Sequence, residues 1–220
     1  YGLDALRYYL MRAMPYGNDG VFSPEDFVDR LNYDLANDLG NLLNRTVAMI
    51  NKYEGGQLPQ YQAGVTEFDA DLEATAAAVI TNYHDLMNQM HFADALAEIW
   101  KLVARSNKYI DETEPWKLAK DDSKATELAA VMAHLAASLR VIATLISPVM
   151  THAPKEIFDQ LGLDVATLTM TDLALADLPA GKQVVAKGTP IFPRIDVQEE
   201  VDFIQGKMTK SEKTKGRAAM

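Results

Sequence analysis

Residues 37–53, NDLGNLLNRTVAMINKY, place Leu39, Leu43, Val47 and Ile50 at spacings of three and four residues. That is the period of a helix with one buried side. At about 100° per residue, Asn41 and Arg45 fall about 40° apart on the opposite side, near Asp38, Ala48 and Lys52. One side of this helix therefore needs other apolar surfaces to cover it, and the other side points an amide and a guanidinium outward together.

Upstream, Ser23 is placed to cap a helix, with Pro24 at the first helical position and Glu25 and Asp26 favourable against the dipole. The helical pattern runs from there to Tyr53, with a break expected near Asn32-Tyr33, and Gly55-Gly56 stops it. Residues 1–14 fit a helix with Leu3, Leu6, Leu10 and Met14 along one side, followed by the turn-rich run Pro15–Gly20. Downstream, helical patterns cover Thr66–Met90, Phe92–Asp111 and Ser123–Ile146. Pro148 ends the last of these, and Ala153–Leu161 is a short helix closed by Gly162. Long helices joined by short connections predict a mainly α fold, an antiparallel helical bundle, with Leu39, Leu43, Val47, Ile50 and Trp100 buried. Past Gly162 the period weakens, so residues 166–204 are expected to form an extension that packs back on the bundle. Residues 205–220, polar and basic, are expected to be a flexible linker without regular structure.

The chain of 220 residues is 48% apolar and contains no cysteine, which excludes disulfides, thiolate catalysis and cysteine-rich zinc sites. Its four histidines show no H-E-x-x-H spacing, so no metal ligands and no catalytic residues are expected. The apolar run after Arg140 is shorter than the roughly 18 residues of a membrane span and contains Pro148, so no membrane partner and a cytoplasmic location are expected. The start at Tyr1, without an initiator Met, suggests a piece of a longer protein. The formal charge of −10 argues against bulk electrostatic binding to nucleic acid. It is uneven: residues 205–220 carry a net +4 and residues 1–204 a net −14.

A nucleic-acid contact on such a body must rest on a local patch and on stacking. Asn41 and Arg45 supply a base-edge amide and a planar five-donor cation. In Glu114-Pro115-Trp116 the proline holds a tryptophan at a helix junction, where its indole can serve as a stacking plate. Lys207-Met208-Thr209-Lys210-Ser211 looks like the phosphate-binding K-M-S-K-S loop of class I synthetases. It lacks the preceding strand–helix pattern that such a loop needs, and is read as coincidence.

The stretches Tyr1-GLDALRYYL, Asn18–Tyr53, Asn107-KYIDETEPWKLAK and Ile191-FPRI together resemble the anticodon-binding helical domain of bacterial methionyl-tRNA synthetase, a class I aminoacyl-tRNA synthetase. The resemblance implies a stem-contact remnant over 1–22, an anticodon-binding bundle over 23–165, the extension over 166–204 and a basic linker over 205–220. It implies that Asn41, Arg45, Pro115 and Trp116 bind the CAU anticodon loop of tRNA(Met). It also implies a parent ligase that attaches methionine to that tRNA with ATP. The ATP site, and zinc in some members, would lie in a catalytic domain that this chain lacks and would contact, so that the chain alone holds no cofactor and is inactive. In many bacterial members the linker leads to a further tRNA-binding and dimerising domain, which would make the parent a homodimer. The alternative from another class is an acidic helical-bundle module for protein interaction.

Overall fold

The computed structural model describes residues 1–218, with side chains described to Met208. Helix α1 spans Leu3–Ala13 and α2 spans Pro24–Arg30, with Ser23 Oγ accepting the Asp26 amide at 3.2 Å as the expected cap. The next ten residues, Leu31–Gly40, continue as a π-helix, and α3 follows without a break over Asn41–Tyr53. The break expected near Asn32-Tyr33 is thus a widening of one continuous helix. Such runs are uncommon at this length and cluster at functional positions. Gly40 ends the wide segment, where an added Cβ would lie 3.1 Å from the Leu35 carbonyl oxygen.

Gly55 and Gly56, both at positive φ, turn the chain out of α3. Helix α4 spans Asp69–Asn88 and α5 spans Phe92–Thr113. They form an antiparallel hairpin, with Arg105 paired to Asp71 and Asn82 bonded to Glu98. The short α6, Pro115–Leu118, leads into α7, Ala125–Ile146. The long helices therefore alternate up, down, up and down, as predicted, with α5 parallel to the α2–α3 helix. Trp100 Nε1 donates to Asp34 O at 3.2 Å and Asn107 Nδ2 to Asp38 O at 3.2 Å along that seam.

Every residue from Ala130 to Ile146 is buried, so α7 is the axis around which the other helices pack. By length and composition the segment Asp122–Ile146 could cross a membrane, but 94% of its apolar window is covered by the rest of the fold. A helix apolar all round is what a central position demands. Leu39, Leu43, Val47 and Ile50 are fully buried against this core, as their spacing requires. Trp100 corrects the expectation of burial. It is only half-buried because its indole N–H must reach the Asp34 carbonyl, and its ring lies 4.7 Å from that of Tyr8.

Helix α8, Ala153–Gln160, ends at Gly162, whose φ of 69° is open to glycine. A Cβ there would meet the Gln183 carbonyl oxygen at 2.1 Å. The chain then returns along the bundle as a strap. Gly181 N donates to Leu58 O, Leu58 N to Lys182 O, Val184 N to Gly56 O and Val185 N to Gln160 O. Asn32 holds Ile195 through both its amide nitrogen and its amide oxygen. These bonds hold residues 181–195 of the strap against the bundle.

Its sequel does not follow expectation. Helix α9 runs Val197–Ala218, so the tail from 205 continues a helix instead of forming an irregular linker. Asp196 Oδ1 accepts the Glu199 amide at 2.9 Å, a cap-and-acid start that the sequence displays. The run to Ala218 contains no proline to interrupt it. Val201 is buried and Gln205 bonds Glu25 of α2 at 2.7 Å. The Lys207–Ser211 run lies on this helix and not on a loop, in keeping with its reading as coincidence. Residues 219–220 of the expected linker lie outside the described residues.

Candidate nucleic-acid interface

The π-widened segment hands over to α3 at Asn41, whose amide N–H reaches back to the Ala36 carbonyl. Asn41 is exposed and Arg45, one turn on, is partly exposed. Arg45 Nη2 lies 3.1 Å from Asp111 Oδ1 on α5, an ion pair with side-chain exposures of 32% and 68%. Burial, reinforced by the charge of Asp34, raises the carboxyl of Asp38 on the same stretch above the usual range.

Helix α5 ends at Glu114, which takes the left-handed conformation at φ 44°. Non-glycine residues reach that region at a cost and persist there when the surroundings dictate it. Here the following Pro115 opens α6 and is buried, and Trp116 stands next to it at 41% exposure. Lys117 closes the turn with a 2.6 Å bond to Glu114. Pro115 is therefore a buried wedge that fixes the backbone next to the indole.

Arg45 and Trp116 are joined through α5: the partner of the first, Asp111, precedes the second by one short turn. No hydrogen bond or ring contact links Asn41 or Arg45 to Trp116 among the described residues. Asn41 instead lines a groove of about 400 Å³ between α3 and the strap, shared with Asn44, Phe192 and Arg194. A second groove, of about 530 Å³, adjoins it through Asn44 and Pro190 and is lined by Asn51, Lys52 and Lys187. Asn44 sits three residues from Asn41, a helical spacing that would have marked it. The strap residues carry no such signal, because their position depends on a chain return of more than 130 residues.

The interior holds a contrasting polar cluster. Asp69, Glu73 and His134 each bring a donor atom within 4.8 Å of the others, the spacing of a metal site. Those atoms already have partners. Asp69 accepts from Thr66, from the Val65 amide at 2.8 Å and from the Tyr109 hydroxyl at 2.6 Å. His134 lies 2.8 Å from the Ala130 carbonyl oxygen and 2.9 Å from Glu73. Burial pushes the Asp69 carboxyl up, but the hydrogen bonds from Thr66 and Tyr109 outweigh it and leave the group below its usual range.

The anticodon binding domain of methionyl tRNA ligase matches residues 59–211 as a family model, and tRNA synthetases class I (M) matches residues 1–47. Asn41 and Arg45 lie in the second match and Trp116 in the first. A methionine–tRNA ligase of Lactiplantibacillus plantarum is 76% identical over all of this chain, which covers 32% of that protein. One from Enterococcus faecalis is 61% identical over 96% of the chain, again covering 32% of the relative. The chain thus spans about a third of the length of the curated relatives it matches. The structure of apo Mycobacterium tuberculosis methionyl-tRNA synthetase superposes with a TM-score of 0.81 at 32% identity, over 89% of this chain and 39% of that one. The interaction-module alternative finds no support in these relatives. The chain belongs to the methionyl-tRNA ligase family, and residues 59–211 are its anticodon-binding domain.

Proposed function

We propose that this chain reads the CAU anticodon loop of tRNA(Met) for a cytoplasmic ligase that joins methionine to that tRNA with ATP. The observation that carries the reading is the exposed Trp116, held on a proline-fixed turn beside the α5 terminus that Arg45 contacts. An unstacked base would lie on the indole, a stack worth about 1–3 kcal/mol. Arg45 would leave Asp111 to bond a base edge or phosphate, and Asn41 would hydrogen-bond a second base from the groove beside it. Discrimination of this kind needs little long-range charge and so is compatible with an acidic body.

Activation of methionine would take place in the part of the ligase outside this chain. The related Mycobacterium tuberculosis enzyme has been solved with methionyl-adenylate. ATP, and zinc where used, would belong there. Helix α1 is suited to contact that part. Its inner face buries Ala5, Tyr8 and Tyr9, and its outer face leaves Leu3 54%, Leu6 41% and Leu10 39% exposed.

In the whole ligase, Trp116→Ala is expected to lower kcat/KM for tRNA at least tenfold. ATP-dependent methionine activation should stay within twofold of the parent. Equal losses in both assays would contradict the anticodon role of Trp116.

A further inference from the structure

The two grooves along α3 form one track, because Asn44 and Pro190 line both. No carboxylate lines either groove, although the chain carries 31 acidic and 21 basic residues. The upper groove presents Lys52 from α3 and Lys187 from the strap, both exposed. Neither pairs with an acid among the described residues, and Lys52 has only the Tyr53 ring, 5.1 Å away. Asn44 is half-buried between them and Asn41, and its amide has no hydrogen-bond partner among the described residues.

The walls are held in place before any ligand arrives. Asn51 Nδ2 bonds Val185 O at 2.8 Å, and Gln160 grips Thr189 through Nε2 to its carbonyl oxygen and Oε1 from its amide. Gly188 lets the strap come close, since a Cβ there would lie 3.3 Å from Asn44 Oδ1. From Asn41 to Lys52 the track extends roughly 16 Å along the helix, at 1.5 Å per residue.

We propose that this track binds the sugar–phosphate backbone of the RNA strand next to the bases that are read. Lys187 and Lys52 face its phosphates, and Asn44 hydrogen-bonds a ribose or base edge. The assignment rests on the anticodon reading above and makes the strap a working part of the interface. A free cation pair in an otherwise acidic surface supplies sequence-independent affinity, while Asn41, Arg45 and Trp116 supply the choice of bases.

The test uses the full 220-residue chain and fluorescein-labelled stem–loops carrying CAU or a changed anticodon, titrated across a salt series. K52A/K187A should weaken both loops about 5- to 20-fold at low salt and leave their ratio unchanged. Its plot of log K against log salt should flatten by about 1.4, the slope expected of two single-strand phosphates. K101A/K155A, which removes the same charge elsewhere, should change affinity less than twofold. Unchanged affinity and slope in K52A/K187A, with the wild type still discriminating, would overturn the track alone. A wild type that does not discriminate between the loops would overturn the anticodon reading and the track with it.

Discussion

Tyr109 and Asp111 stand two residues apart on α5 and belong to opposite kinds of polar chemistry. Tyr109 points inward, where its hydroxyl completes the shell around Asp69 within reach of Glu73 and His134. Asp111 points outward and holds Arg45 on a surface where Asn41, Asn44 and Trp116 have open faces. Both regions use residue types that bind ions and bases. Inside, the polar atoms named above are matched by protein partners, because an unpaired one would carry its full desolvation penalty. Outside, water satisfies them until a ligand does. The polar groups that the fold leaves unmatched at its surface are thus the ones available for recognition, and the matched cluster is architecture.

The largest expected effect is on the interior side. His134→Ala should destabilise the chain by about 2–4 kcal/mol, since it removes a fully buried ring together with its bonds to Glu73 and the Ala130 carbonyl. Urea unfolding would measure this, and the surviving folded protein should keep its preference for CAU. Near-normal stability would show that the cluster is not architecture.

Arg45→Gln should do the reverse. RNA affinity should fall about tenfold by anisotropy, and stability should change by less than about 0.5 kcal/mol, as for other exposed ion pairs. A large stability loss would blur the division between the two regions.

The third effect depends on pH. Asp69 titrates below its usual range when folded, so its contribution is fully present above about pH 4 and is lost as pH falls through the depressed value. Tyr109→Phe, which removes one of the bonds holding that carboxylate, should make the acid limb of the stability curve shallower. An unaltered acid limb would mean that Tyr109 does not set the Asp69 carboxylate. The smallest effect expected is that of Asp111→Asn on stability, within about 0.3 kcal/mol by thermal unfolding.

Much of this division was legible before the structure. The stripe of Leu39, Leu43, Val47 and Ile50 placed Asn41 and Arg45 on the outer side, and Ser23-Pro24 marked the helix start. Those are local signals, since period and capping act within a few residues. The widening at Leu31–Gly40 was not legible because it replaces one hydrogen-bond ladder by another without changing composition. The partner of Arg45 lies 66 residues away, and the wall supplied by Lys187 more than 130 residues away, where no spacing rule reaches. Trp100 was misplaced because its apolar neighbours do not reveal that its N–H must find Asp34. The α9 continuation is signalled only by the cap at Asp196 and Glu199, against which the polar, basic composition of the tail points to irregular structure.

The central claim is that Trp116 stacks on an anticodon base, and its own fluorescence tests it most directly. In a W100F background Trp116 is the remaining tryptophan. Titration with a CAU stem–loop should quench it strongly and saturably, and a loop with a changed anticodon should quench it far less at the same concentration. Equal quenching by both loops, or none by CAU while binding is seen by anisotropy, would contradict the account.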